Sequence, residues 1–147
     1  MQDIFISPLS GGLASWIEAF AKAKIAITVN AKPTKIQKSM PLIFWLHMNE
    51  DRQEWLVNTI HLIQKKYERA KIVVLANAPN QAEAFHAMSL GVVAYAHAYS
   101  PAFVLTEMKT VISHGGVWIG QDLLKRIIEV STSLAGNQLE QVNQRST

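Results

Sequence analysis

Apolar residues in this chain fall into short continuous runs separated by stretches of helical period. The clearest passage runs from Lys71 to Gly91, KIVVLANAPNQAEAFHAMSLG, and VVAYAHAYSP follows at once. Ile72–Leu75 is apolar and mostly β-branched, which predicts a strand. Asn77, Pro79 and Asn80 are turn and cap residues. Gln81–Leu90 is alanine-rich and helical, and Gly91 stands where a glycine commonly ends a helix in the left-handed conformation. Val92–Ala96 predicts the next strand.

The same alternation extends in both directions. Asp3–Ser7 predicts a strand that Pro8 stops. Leu13, Trp16, Ile17 and Phe20 recur at i, i+3, i+4 and i+7, the stripe of an amphipathic helix. Ile25–Val29 predicts a short second strand, and Lys32–Met40 a loop or a single turn. Pro41–Met48 is continuously apolar, as a strand buried on both faces requires. Asn49 or Asp51 can cap the helix after it, whose inward stripe is Leu56, Ile60, Ile63 and Tyr67, with Thr59 beside it. Ser100 and Pro101 start a further helix with proline at its first position. Val104, Met108, Val111 and Ile112 form its stripe, and Gly115 and Gly116 end it. An additional helix is expected over Gln121–Ser133, with Leu124, Ile127 and Ile128 inward. Five strands alternating with helices at this spacing imply parallel strands joined by crossovers, an α/β doubly wound sheet covered on both faces. Residues 1–133 are expected to form this domain and 134–147 a polar linker or tail.

Composition narrows the function. A chain of 147 residues that is 49% hydrophobic can bury one core. It lacks cysteine, which removes disulfide and thiolate chemistry. No apolar stretch is long enough to span a bilayer, and the N-terminus has no basic segment before an apolar run, so a cytoplasmic protein is expected. A net charge of +3 and a pI of 9.3 are modest beside the six to ten phosphate contacts of a committed DNA binder. Ser7, Ser10 and Ser15 have no histidine nearby in sequence and no G-x-S-x-G elbow, and the predicted strand ends carry no paired acids. No enzymatic activity is expected.

The order and spacing of elements from Lys71 to Pro101, together with GGVWIGQDLL at Gly115–Leu124, resemble the receiver domain of LuxR/NarL-type response regulators. The resemblance spans about residues 1–130. It implies a flavodoxin-like sheet of five parallel strands in the order 2-1-3-4-5 with an extra C-terminal helix. A helix-turn-helix domain follows such a receiver in that family, and DNA contact is expected only through such a domain. It also implies a set of chemical positions. A working receiver holds Mg²⁺ on an acidic pair after the first strand, because that ion takes hard oxygen ligands. It carries a phosphoacceptor aspartate at the end of the third strand. A hydroxyl after the fourth strand and a lysine after the fifth satisfy the phosphoryl oxygens.

The positions of this chain that correspond are Ser7 and Pro8, His47, Ala76 and Ala98. None supplies the required group, and shifting each by one residue does not restore it. The resemblance therefore implies a degenerate receiver that works without phosphate or metal and acts through dimerisation or partner contact. Phe85, Met88, Phe103 and Met108 are the candidate surface, though part of that set must be core. Tyr95 takes the place of the family's switch aromatic, which moves when the hydroxyl after the fourth strand is drawn toward phosphate. Ala76 has no hydroxyl to draw, so a fixed ring is expected. His47 is expected either to close the strand end as a polar residue or to hydrogen-bond to the loop after the first strand. His97 faces the same region, but a metal site there needs a third ligand that the sequence does not provide.

Trp118, Ile119 and Gln121 are candidate ligand or dimer contacts. Some regulators of this class bind cyclic di-GMP through Trp, an aliphatic or aromatic residue, Ser or Thr, and Arg. Here Gly120 and Gln121 depart from that pattern, and glutamine cannot replace the stacking and pairing of arginine. Trp118 is expected to pack under the additional helix. The alternative function is a small-molecule sensor, nucleotides included, using the carboxyl rim of the sheet at Pro8, His47, Asn77, His97 and Tyr99.

Overall fold

The computed structural model describes residues 1–29, 41–50, 52–120, 125, 126, 128 and 129. Among the described residues the chain runs through β1 (Gln2–Ile6), α1 (Ala14–Ala19), β2 (Lys24–Ala26), β3 (Leu42–Met48), α2 (Gln53–Lys66), β4 (Lys71–Ala76), α3 (Gln81–Ser89), β5 (Ala94–His97), α4 (Ala102–Ser113) and β6 (Trp118–Ile119). All strand pairs are parallel, in the order β2-β1-β3-β4-β5-β6. The expected order is present, with one strand more than the five expected.

The sixth strand follows from how α4 ends. Gly115 takes φ +83°, and the Gly115 and Gly116 amides donate to the Ile112 and Val111 carbonyls, a Schellman closure. A Cβ on Gly116 would lie 2.6 Å from Val111 Cγ1, so the reversal depends on that glycine. The chain then meets the open side of β5, where Trp118 donates its amide to the Val93 carbonyl at 2.9 Å. An unpaired edge leaves backbone groups unsatisfied, and the apolar Val117-Trp118-Ile119 pairs with it instead of remaining a loop. α3 closes in the same way: the Gly91 amide reaches the Met88 carbonyl and the Val92 amide the Ala87 carbonyl.

Every residue of β3 is buried, as its unbroken apolar run requires. The sheet divides the core by strand alternation. Ile4, Ile6, Phe44, Leu46, Val74 and Tyr95 pack under α2 and α3. Phe5, Ile43, Trp45, Val73 and Leu75 pack under α1 and α4, meeting Trp16, Phe20, Leu105, Met108 and Ile112. On that second face Phe5 stacks between Trp16 and Trp45, with ring centroids 4.6 and 5.4 Å away. Each such pair adds about 0.5–1.5 kcal/mol beyond area burial.

Several local expectations need correction. Ile17 is exposed, since α1 is only six residues long and turns Trp16 and Phe20 inward. β2 ends at Ala26, and Ile27 is solvent-facing. α2 is preceded by Arg52 at its cap position, with no side-chain cap bond, in place of Asn49. Asp51 lies outside the described residues. Pro101 is the cap residue of α4 and not its first helical residue. Lys125, Arg126, Ile128 and Glu129 are helical, and Ile128 is exposed instead of inward. The predicted loop at 32–40, residues 121–124 and 127, and the linker or tail at 134–147 lie outside the described residues.

Candidate functional site

The register brings the carboxyl ends of β1, β3 and β4 side by side. Ile6 pairs with Leu46, and His47 with Leu75, so Ser7 follows β1 beside His47 while Asn77 follows β4 on its other side. Alternation turns His47 to the α1 face, where the Trp16 ring meets it edge-on at 5.2 Å. Ser7 Oγ lies 2.8 Å from His47 Nδ1, and Asn77 Oδ1 lies 2.8 Å from His47 Nε2. The donors order themselves along this chain. The Leu9 amide donates to Ser7 Oγ at 3.1 Å, which leaves the Ser7 hydroxyl hydrogen for Nδ1. Asn77 Oδ1 can only accept, so Nε2 donates. Ser7 and His47 are both almost wholly buried, at 1% and 2% exposure, and each has its hydrogen-bonding capacity met.

The result is a side-chain link across three neighbouring strands. Chemically it offers no carboxylate for a divalent cation and no ring nitrogen with a free lone pair. No group of three metal-ligating side chains occurs among the described residues. His97 does not join His47. It is exposed, its Nδ1 accepts the Tyr99 amide, and its ring lies against that of Tyr99.

The other sequence-derived positions separate. Pro8 is exposed in the loop after β1. Ala98 is fully buried, and its carbonyl accepts Trp16 Nε1 at 3.3 Å. Ala76 faces away from His47, toward α2 and α3, so Asn77 and not Ala76 supplies the fourth-strand contact. Trp118 and Ile119 are half-buried in β6, opposite Ala94 and Tyr95. Trp118 packs against the α1–α4 side of the core. Gln121 lies outside the described residues. Within the expected sensor rim at Pro8, His47, Asn77, His97 and Tyr99, His47 bonds to Asn77 and the exposed His97 accepts the Tyr99 amide.

Tyr95 is fully buried on the opposite face. Its hydroxyl donates to Glu83 Oε1 at 2.7 Å and accepts the Asn80 amide at 3.1 Å. Burial pushes the phenol far above its ordinary value; the Asn80 amide opposes that shift and the Glu83 carboxylate adds to it. Asn80 Oδ1 caps α3 through the Glu83 amide. Gln53 Nε2 donates to Glu83 Oε2 at 3.0 Å, and Gln53 Oε1 lies 2.9 Å from His86 Nδ1. Sequence reasoning missed Glu83, Gln53 and His86. The available signal was an acid within the inward stripe of α3, beside Ala84 and Ala87.

No protein-family model matches the chain, and no curated protein matches it. Solved structures do. The non-phosphorylated receiver domain of the stress response regulator RcsB from Escherichia coli superposes with a TM-score of 0.63 at 12% identity, over 82% of this chain and 98% of that one. The fold is that of a receiver domain. The regulatory domain of the master biofilm regulator CsgD gives 0.62 at 14% identity, over 88% and 99%. The receiver of RcsB from Salmonella enterica serovar Typhimurium, in the presence of phosphomimetic BeF₃⁻, gives 0.58 at 15%, over 84% and 96%. No helix among the described residues is long and apolar enough to cross a membrane.

Proposed function

We propose that this chain is a phosphorylation-independent, receiver-like regulatory domain of a LuxR/NarL-type transcription regulator, acting through dimerisation or partner contacts in the cytoplasm. One observation carries the reading. Where the resemblance calls for a phosphoacceptor, His47 spends both ring nitrogens on Ser7 and Asn77. The three strand ends that a phosphoryl group and its Mg²⁺ draw together in a working receiver are already joined by side chains. Ser7 and Pro8 supply no carboxylate pair to hold the Mg²⁺ that neutralises an incoming phosphoryl group in a working receiver. On this reading, the conformational equilibrium is set by sequence and by partner concentration, and a partner shifts it only through its difference in affinity for the two states.

Incubation with acetyl phosphate and Mg²⁺, followed by intact-mass measurement, tests this. The expected spectrum is that of the unmodified chain. A stable species heavier by one phosphoryl group overturns the reading.

A further inference from the structure

A cleft of about 410 Å³ opens between α2 and α3 over the carboxyl ends of β3 and β4, separate from the His47 link. That volume lies in the range of small-ligand sites. Its lining combines apolar Met48, Ala76 and Ala82 with the polar side chains of Glu50, Glu83 and His86. Ala76 belongs to the reason the space exists, since a larger side chain at the end of β4 would project into it.

The polar groups have a definite sense. Gln53 donates its amide hydrogens to Glu83, so its oxygen faces His86 and must accept the hydrogen of His86 Nδ1. Glu83 is only 9% exposed, yet its side-chain partners are a phenol and a neutral amide. Among the described residues no cation lies within ion-pair distance of it. A buried carboxylate is costly without an opposite charge. Glu50 adds a second acid at the mouth of the cleft. The Glu83 carboxylate held by this network is an acceptor lining a space that Met48, Ala76 and Ala82 also line, in a protein whose overall charge is +3.

We infer that the α2–α3 cleft binds a small organic cation, an alkyl ammonium or guanidinium with a short apolar body, its charged end on Glu83 and Glu50 and its body against Met48 and Ala76. This site stands apart from the regulatory reading and survives its failure.

Titrations of the whole chain with putrescine and agmatine, followed through the Met48 methyl and His86 ring resonances by NMR, test the inference. Butane-1,4-diol serves as the neutral analogue and adenosine monophosphate as the anionic one, all at matched ionic strength. The expected result is saturable movement of both resonances with at least one cation and none with the diol or the nucleotide. Glu50→Gln, at an exposed position, weakens binding roughly threefold to fivefold, the share of a solvent-screened charge pair. Glu83→Gln weakens it about tenfold or more, with its fold checked by circular dichroism. Three outcomes overturn the inference: no movement with either cation up to about 20 mM, the edge of meaningful affinity; an equal response to the diol or the nucleotide; or binding unchanged in Glu50→Gln. If the Glu83 variant does not fold, the Glu50 variant alone decides between these outcomes.

Discussion

A phenol enclosed in a core beside a carboxylate keeps its proton longer than one in water, and Tyr95 is in that position. Its folded value is raised above the ordinary 10.0, chiefly by burial. The native state therefore holds this proton at pH values where the unfolded chain has released it. Stability from the hydroxyl is fully present below the ordinary value and falls as pH rises past it. At neutral pH, Tyr95→Phe removes the bond to Glu83 and strips the Asn80 amide of its acceptor, a loss of about 1–2 kcal/mol. Urea unfolding of the two proteins near neutrality and again above 10.0 should show the gap between them narrowing at the higher pH. A gap that stays constant means that the hydroxyl is not held as described. At this scale the sequence was partly readable. A fixed Tyr95 is expected because Ala76 lacks a hydroxyl, and the groups bonded to its hydroxyl, Glu83 and the Asn80 amide, belong to α3 and its cap. Their role depends on which face of that helix turns inward. A bond from His47 to the loop after β1 is one of the two roles the sequence leaves open for it, and Ser7 makes that bond. Asn77 as the third member required the pleat of β4, which turns Ala76 away and Asn77 toward the ring.

Elements are joined most firmly where polar groups are buried between them. Asp3 in β1 is 5% exposed, and it accepts Trp45 Nε1 from β3 at 3.1 Å and pairs with Lys109 Nζ from α4 at 2.5 Å. Lys109 also lies over the Phe20 ring, 4.9 Å from its centroid. Strand alternation places Asp3 on the same face as Phe5, so a residue read from sequence as a strand start is a buried fastening for α4. Removing one partner of such a pair costs more than removing both, because the charge left behind remains buried. Lys109→Met is expected to cost about 2–3 kcal/mol, and adding Asp3→Asn should recover part of that, since asparagine still accepts Trp45 Nε1. Denaturant unfolding of the two single variants and the double variant gives the coupling energy; strictly additive losses would show that the pair does not act as one. Element type was legible wherever the apolar period was long, as in α2 and β3. The ends were not. α1 stops at Ala19 because its stripe has only Trp16 and Phe20 to bury, and β6 forms only because α4 closes on two glycines and returns the chain to an open strand edge.

The whole molecule was the most legible level, because alternating strand and helix signals leave few arrangements of a parallel sheet. The resemblance reads Ser7, Pro8, His47, Ala76 and Ala98 as receiver positions without the receiver groups, and the proposed function rests on that reading. What the pattern could not give is which outward side chains meet a partner. Met108, one of four candidates, is wholly buried in the core on the α1–α4 side of the sheet, and Met88 is half-buried, whereas Phe103 and Phe85 are 71% and 41% exposed. Tyr99, four residues before Phe103, is 59% exposed. An aromatic ring in water forgoes about 2 kcal/mol that burial would supply, and large aromatics dominate the energetics of protein interfaces. If the domain works by self-association, Phe103 is the side chain that most depends on it. Sedimentation over a range of concentrations is expected to show a reversible dimer, and Phe103→Glu to raise its dissociation constant about tenfold or more. The substitution leaves the core intact, since the ring lies outside it, so thermal unfolding of the dilute monomer should not change. A parent chain that stays monomeric into the high micromolar range removes self-association from the proposed function and leaves contact with a different partner as its mode of action.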